Sequence, residues 1–177
     1  MLRKIFDIII IILTIPLLGP LILIIYLTSL FLLGKPIFFL QKRSGLKGKQ
    51  IIIFKFRTMK YFNQKEKSIS NYGLFLRKTK LDELPQIFNV IRGDLTLIGP
   101  RPLYLEYNKL YSKKHKLRLM IKPGITGWAQ INGRDDISLE KKVQLEQEYL
   151  YNRSTLFDIE IIIRTFSNVL FSKGVSH

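Results

Sequence analysis

A chain of 177 residues carries 29 Lys+Arg against 13 Asp+Glu, for a formal net charge of +16, with two histidines and no cysteine. The length suits one domain with its own core plus one membrane element, and no Gly/Ser- or Pro-rich linker divides it. Without cysteine there are no disulfides, zinc-thiolate sites or thiol nucleophiles. His115 and His177 are too few for a histidine-ligand metal centre, so any metal is expected to be a hard cation on oxygen ligands.

Ile8 to Leu33 contains no charged side chain, and 26 such residues make a helix of roughly 39 Å, enough to cross a bilayer. Pro16 and Pro20 interrupt it, with Gly19-Pro20 at its middle, which predicts a kink and two helical halves. Arg3 and Lys4 precede the segment, and Lys35, Lys42, Arg43, Lys47 and Lys49 follow it, so both ends carry residues normally kept in the cytoplasm. That pattern favours a re-entrant helix-break-helix over residues 1–34, the alternative being a kinked ordinary span. No small-residue cleavage site follows the apolar run, which speaks against a secretory signal. The first 34 residues hold a net charge of +1, leaving +15 on 35–177. That surface suits anionic headgroups, nucleotides or nucleic acid, and charge alone does not choose among them.

Ile37–Leu40 and Ile51–Phe54 are short apolar runs flanking a basic, glycine-containing stretch, and they predict a β-hairpin. Tyr61–Tyr72 is polar and aperiodic, and is expected to be a mobile surface loop. Leu84, Ile87, Phe88 and Ile91 recur at helical spacing up to Gly93. Gly99-Pro100-Arg101-Pro102 is a rigid turn, and Tyr104–Leu117 and Leu139–Tyr151 are predicted helical. Asp158–Phe171 forms a last helix, with Ile159, Ile162, Ile163, Phe166, Val169 and Leu170 along one face. Ile161 and Phe171 widen that face, which either packs on the domain or lies in the headgroup layer.

Asp82 and Glu83 stand together in Leu81-Asp82-Glu83-Leu84-Pro85-Gln86, two carboxylates in a strongly basic chain. At the start of a helix over Leu84–Arg92 they would be held ionised by its dipole and free N–H groups, which lower the pKa of Asp82. An ionised Asp82 can be a metal ligand, a base or a nucleophile, whereas a plain helix cap is the bland alternative. Lys55 and Arg57, then Arg77, Lys78 and Lys80, and Arg101 between two prolines, supply the cations that diphosphate recognition needs. Trp128 among Gly124, Gly127 and Gly133 is expected in the core. Arg134 is a lesser candidate for substrate contact, and His115 among lysines is expected to be solvated or to face headgroups rather than to be catalytic.

Lys55-Phe56-Arg57-Thr58-Met59, the Asp82-Glu83 segment, Gly93-Asp94, Ile98-Gly99-Pro100-Arg101-Pro102 and Lys122–Arg134 follow one another in order. Taken together, they resemble the bacterial sugar transferase family, the monotopic phosphoglycosyl transferases, in minimal form. The resemblance implies an α+β fold, mostly helical with a short β-hairpin, a re-entrant membrane helix broken at Gly19 and Pro20, and amphipathic interfacial helices. It implies a catalytic domain over 35–177 on the cytoplasmic face of the bacterial inner membrane, with both termini cytoplasmic. The implied reaction moves a phospho-sugar from a UDP-sugar to undecaprenyl phosphate with release of UMP, starting glycan assembly. In it Asp82 is the nucleophile that carries a covalent phospho-sugar, Glu83 assists, and Mg2+ binds at Asp82. Lys55, Arg77 and Arg101 bind phosphate. Members of the family have a serine where this chain has Gly19, which leaves the geometry of the break open.

The expected partners are the UDP-sugar, undecaprenyl phosphate and inner-membrane lipids, with no nucleic acid. Neither the sugar nor the oligomeric state, a homo-oligomer among the options, follows from the sequence. Two rivals differ in what they predict. A membrane-tethered nucleic-acid binder, stacking bases on Phe54, Phe56, Tyr61 and Phe62, would bind in a salt-sensitive way without Asp82. A polyprenyl diphosphate phosphatase would turn over without a UDP-sugar.

Overall fold

The computed structural model describes residues 2–61, 67–133 and 137–170. They are mostly helical with three two-stranded sheets. Contacts group the chain into two compact units, Met1–Gln41 with Ile52–Ile91 and Lys42–Ile51 with Arg92–His177. The boundary expected after residue 34 separates membrane from water, which contacts do not address. By packing, the apolar helix belongs to the unit that holds the acidic pair.

In the first unit, helix α1 runs Leu2–Leu33 and stays helical through Pro16 and Pro20. The two halves expected on either side of Gly19-Pro20 are thus one helix. Its residues 3–33 are long and apolar enough to cross a membrane, with a mean hydropathy of 3.1 over an 18-residue stretch within them. Proline lacks the donor to the carbonyl four residues back, so the carbonyls of Ile12 and Pro16 lose their usual helical partner without ending the helix.

The second half of α1 is also part of a soluble-type core. Ile25 packs with Ile37, Phe56 and Leu76, and Leu21, Ile22, Tyr26, Tyr72, Leu81 and Leu84 close around them. Strands β1 (Phe38–Ser44) and β2 (Gln50–Phe56) form the predicted pair and pass between the units. Phe38 stacks on Phe56 with ring centroids 5.5 Å apart.

Past β2, the expected loop is ordered where it is described. Strands β3 (Met59–Tyr61) and β4 (Lys67–Ile69) pair antiparallel, Met59 facing Ile69 and Tyr61 facing Lys67. Helix α2 (Asn71–Lys78) follows, its first turn capped by the Ser70 hydroxyl, which accepts from the Gly73 N–H at 2.9 Å. Residues 62–66 of that segment lie outside the described residues. Three-residue strands of polar sequence have too few alternations to show a period, which is why they read as loop. A Cβ on Gly73 would sit 1.9 Å from the Thr58 carbonyl oxygen, so α2 approaches the end of β2 as closely as only glycine permits.

Helix α3 is Gln86–Arg92, and its inward face is Gln86, Asn89 and Val90. The apolar spacing located the helix but not its buried side, because Phe88 and Ile91 are exposed. Asn89 explains the choice of face. Its side-chain oxygen accepts from the Phe54 N–H at 3.0 Å and its amide donates to the Ile52 carbonyl at 2.6 Å, supplying β2 with bonds a neighbouring strand would make.

Arg57 is 4% exposed. Its Nη2 donates to the carbonyls of Leu33 and Gly34, its Nε to Pro36 at 2.6 Å and its Nη1 to Met59 at 2.9 Å. Leu33 is the last residue of α1, whose terminal carbonyls have no helical donor and carry the negative end of the dipole.

In the second unit, a 3-10 turn at Leu46–Gly48 places Lys47 at φ 55 and Gly48 at φ 74. Strands β5 (Thr96–Ile98) and β6 (Gly124–Thr126) pair in parallel, and helices α4 (Trp128–Ile131), α5 (Leu139–Asn152) and α6 (Thr155–Leu170) follow. The helix expected over Tyr104–Leu117 is instead two 3-10 segments, Leu105–Lys109 and His115–Met120, neither of which buries a residue. An α-helix needs an apolar face to bury, and here side chains are committed elsewhere. Asn108 accepts from Ser44 Oγ at 2.8 Å and donates to the Gly48 carbonyl at 3.2 Å.

Trp128 packs edge-on against Phe157 at 4.8 Å between centroids and is part-buried, less enclosed than the core position expected of it. Tyr149, fully buried, donates to Asp158 Oδ1 at 2.7 Å, and burial followed by that carboxylate pushes its pKa up to about 12. Inward, α6 buries Asp158 and Ile161. Its apolar stripe faces out, with Leu156 80%, Ile163 63% and Phe166 58% exposed and Ile159 partly so.

Arg57→Met should cost about 2–4 kcal/mol, since four carbonyls lose a charged donor inside the protein. Arg57→Lys should recover part of that. Chemical unfolding in detergent micelles measures both, and a loss under about 0.5 kcal/mol would show that the guanidinium ties nothing together.

Candidate active site

Four of the residues singled out from the sequence meet in the first unit. Lys55, near the end of β2, donates through Nζ to Glu83 Oε1 at 2.7 Å, with both side chains mostly buried. Arg77, in the last turn of α2, donates through Nε to Thr58 Oγ1 at 2.9 Å. After α2 the chain reverses at Lys80, whose φ of 60 places it in the left-handed region, and enters a single 3-10 turn, Leu81–Glu83. Asp82 is the buried residue of that turn, 8% exposed.

The pKa of Asp82 is raised from its ordinary 3.8 by burial and then by Glu83, while Lys55, Lys80 and Arg77 pull it down without prevailing. The sequence reading of a lowered pKa is therefore corrected. α3 begins only at Gln86, and the Glu83 and Leu84 N–H groups are used within the turn, on Lys80 and Leu81 carbonyls. Among the described residues no donor reaches the Asp82 carboxylate, so the dipole effect that was expected has no geometry to act through.

The donor set bears on a metal as well. No cluster of three or more His, Cys, Asp or Glu side chains occurs among the described residues, so no all-protein cage is available. One buried carboxylate beside a second that already holds Lys55 fits a magnesium ion shared with substrate phosphates, and a cation would relieve the repulsion that raises the pKa of Asp82.

Arg101 belongs to the second unit. There it lines a shallow depression with Ser44, Gly45, Pro100, Tyr111 and Arg118. Arg118 donates to the Arg101 carbonyl at 2.9 Å and to Glu146 Oε1 at 2.8 Å. Burial raises the pKa of Glu146 against the pull of Arg118. A phosphate-binding role for Arg101 rests on the resemblance alone. Arg134 lies outside the described residues.

What sequence reasoning missed is the support. Arg57, expected among the cations for diphosphate recognition, is turned inward to hold the end of α1, and the supporting bonds of Thr58 and Asn89 have no sequence signal. A buried arginine beside a strand has no local signature, since its acceptors are carbonyls up to 24 residues away.

The bacterial sugar transferase family matches the chain over residues 1–172. This chain belongs to that family. It is 46% identical over 150 residues to the uncharacterized sugar transferase EpsL of Bacillus subtilis (strain 168), covering 81% of this chain and 74% of that protein. The UDP-glucose:undecaprenyl-phosphate glucose-1-phosphate transferase of Escherichia coli (strain K12) is 37% identical over 182 residues, 93% of this chain but 39% of its own length. The exopolysaccharide production protein ExoY of Sinorhizobium fredii (strain NBRC 101917 / NGR234) is 33% identical over 196 residues, covering 97% of this chain and 87% of that one. The sugar transferase thus spans most of EpsL and ExoY and about two fifths of the Escherichia coli enzyme.

Asp82→Asn should raise the melting temperature of this sugar transferase at neutral pH. With a raised folded-state pKa, Asp82 keeps a proton that the unfolded chain has already released. Stability is therefore full below the ordinary value, falls as pH rises to the raised one, and the loss persists above it. The gain in the asparagine variant should shrink as the pH is lowered below the ordinary carboxylate range. Calorimetry across pH measures this, and a variant less stable than wild type at neutral pH would contradict it.

Proposed function

We propose that this protein transfers a phospho-sugar from a UDP-sugar to undecaprenyl phosphate at the cytoplasmic face of the bacterial inner membrane, releasing UMP and initiating glycan assembly. The observation that carries this is the buried Asp82 carboxylate beside Glu83, ringed by Lys55, Arg77 and Lys80. It lies in the same compact unit as a helix long and apolar enough to cross a membrane. The relatives named for UDP-glucose:undecaprenyl-phosphate transfer support the substrate classes, and which sugar this chain takes is a separate matter.

In this reading an Asp82 oxygen attacks the β-phosphorus of the UDP-sugar. The bond from that phosphorus to the bridging oxygen breaks and UMP leaves. A phosphate oxygen of the lipid then attacks the same phosphorus and the carboxylate departs, leaving a polyprenyl diphosphate-linked sugar. Burial that makes Asp82 more basic makes it a stronger nucleophile once ionised. The three cations offset charge on the diphosphate, and Lys55 holds Glu83 in place beside it. Asp82, with Glu83 alongside, would hold a magnesium ion together with diphosphate oxygens, and the ion supplies charge neutralisation at the transferring phosphoryl group.

The same reading places α1 in the bilayer as a re-entrant helix bent at Gly19-Pro20, because Arg3 and Lys4 at one end and Lys35 at the other both belong on the cytoplasmic side. The outward stripe of α6, Leu156, Ile159, Ile163 and Phe166, suits the headgroup layer in this reading.

Asp82→Asn should reduce UMP release at least about 10³-fold and yield no labelled phospho-sugar on the protein, whereas Glu83→Gln should do less. UMP detection with undecaprenyl phosphate and a panel of UDP-sugars decides it, and full turnover by the asparagine variant would remove the nucleophile. For topology, the chain has no cysteine to interfere. Single Arg3→Cys and Lys35→Cys variants should both resist a membrane-impermeant maleimide in intact spheroplasts and react after permeabilisation. Labelling of position 3 in intact cells would establish an ordinary span instead.

A further inference from the structure

α1 is almost wholly apolar, yet it presents two hydroxyls to the first unit, and one phenol meets both. Tyr72 Oη, in the first turn of α2, lies 2.7 Å from Thr28 Oγ1, 3.1 Å from Ser29 Oγ and 3.2 Å from the Ile25 carbonyl oxygen. Ser29 is 1% exposed. The rest of this contact is apolar, Ile25 against Leu76, and apolar surfaces can slide along one another at little cost because their attraction is not directional. Hydroxyls cannot, since a shift of one residue, ~1.5 Å along the helix, would break the phenol's bonds to Thr28 and to the buried Ser29.

α2 is rigidly linked onward from that point. Gly73 abuts the Thr58 carbonyl, Arg77 bonds Thr58, and Lys80 turns the chain directly into Asp82. A fixed position of α2 along α1 is therefore a fixed position of the carboxylate along the same helix.

We infer that Tyr72 is a positioning residue, whose clamp on Thr28 and Ser29 sets the depth of Asp82 against the membrane helix and so its reach to the lipid phosphate. This rests on the transferase reading above. A soluble UDP-sugar can follow the carboxylate to any depth. The phosphate of undecaprenyl phosphate is held at the headgroup layer and cannot, so a loosened clamp should slow only the second half of the reaction.

Tyr72→Phe keeps the ring in the core and removes only the hydroxyl. Single-turnover UMP release without lipid should stay within about twofold of wild type, while the KM for undecaprenyl phosphate in nanodiscs rises about tenfold. The double variant Thr28→Val, Ser29→Ala should reproduce that split from the other side of the contact. Hydrogen exchange over Asn71–Lys78 in the same nanodiscs should quicken about tenfold in both variants. Unchanged exchange in α2, or UMP release falling as much as lipid transfer, overturns the inference. Wild-type protein that releases no UMP without lipid would remove the covalent reading instead, and the exchange measurement would then decide the clamp by itself.

Discussion

The guanidinium of Arg57 is the fixed point of the first unit. A charge taken out of water costs several kcal/mol unless its donors are satisfied, and here Leu33, Gly34, Pro36 and Met59 satisfy them through backbone oxygens. The Leu33 carbonyl among them stands at the C-terminus of α1, where the helix dipole places partial negative charge. The backbone N–H of Arg57 donates to Ile37 at 2.8 Å, so backbone and side chain together hold the five residues by which the chain leaves the apolar helix. Lys55, on β2, lies two positions earlier and Thr58 one position later. The group that receives the apolar helix is therefore in register with the groups that surround the carboxylates.

The acidic pair shows the opposite economy. Nothing local steadies Asp82: burial and its neighbour both disfavour its charge, and the cations only moderate this. Glu83, in contrast, is engaged by Lys55. Two adjacent residues of one turn therefore differ in environment, one satisfied and one held in reserve, which is the division of roles expected when one carboxylate reacts and the other supports it.

Elements with a long period or strong composition were legible in the sequence. α1, the β1–β2 pair, α5 and α6 follow from runs of ten or more apolar-patterned residues or from β-branched clusters, and the order of motifs identified the family before any geometry. The faces of α3 and α6 were not legible. Spacing locates an apolar stripe without fixing where it points: on α3 the polar Asn89 takes the inward side because it bonds to β2, and on α6, whose stripe the sequence left open, Asp158 and Ile161 take it. The 3-10 segments after Tyr104 escaped for a related reason, their side chains being claimed by distant partners such as Gly48 and Glu146. At the site, residue identity was readable while electrostatic sign was not, since the pKa of Asp82 turns on burial and on the exact start of α3.

Neither compact unit is one continuous stretch of chain, because residues 42–51 lie within the second while the segments on both sides of them lie within the first. During synthesis the turn at Gly48 leaves the ribosome 60 residues ahead of Asn108, the side chain that bonds it. The first unit can close once residue 91 has emerged, while the excursion between β1 and β2 waits for the later residues that complete the second unit. Folding is thereby ordered in time, the unit of the apolar helix first and the other afterwards.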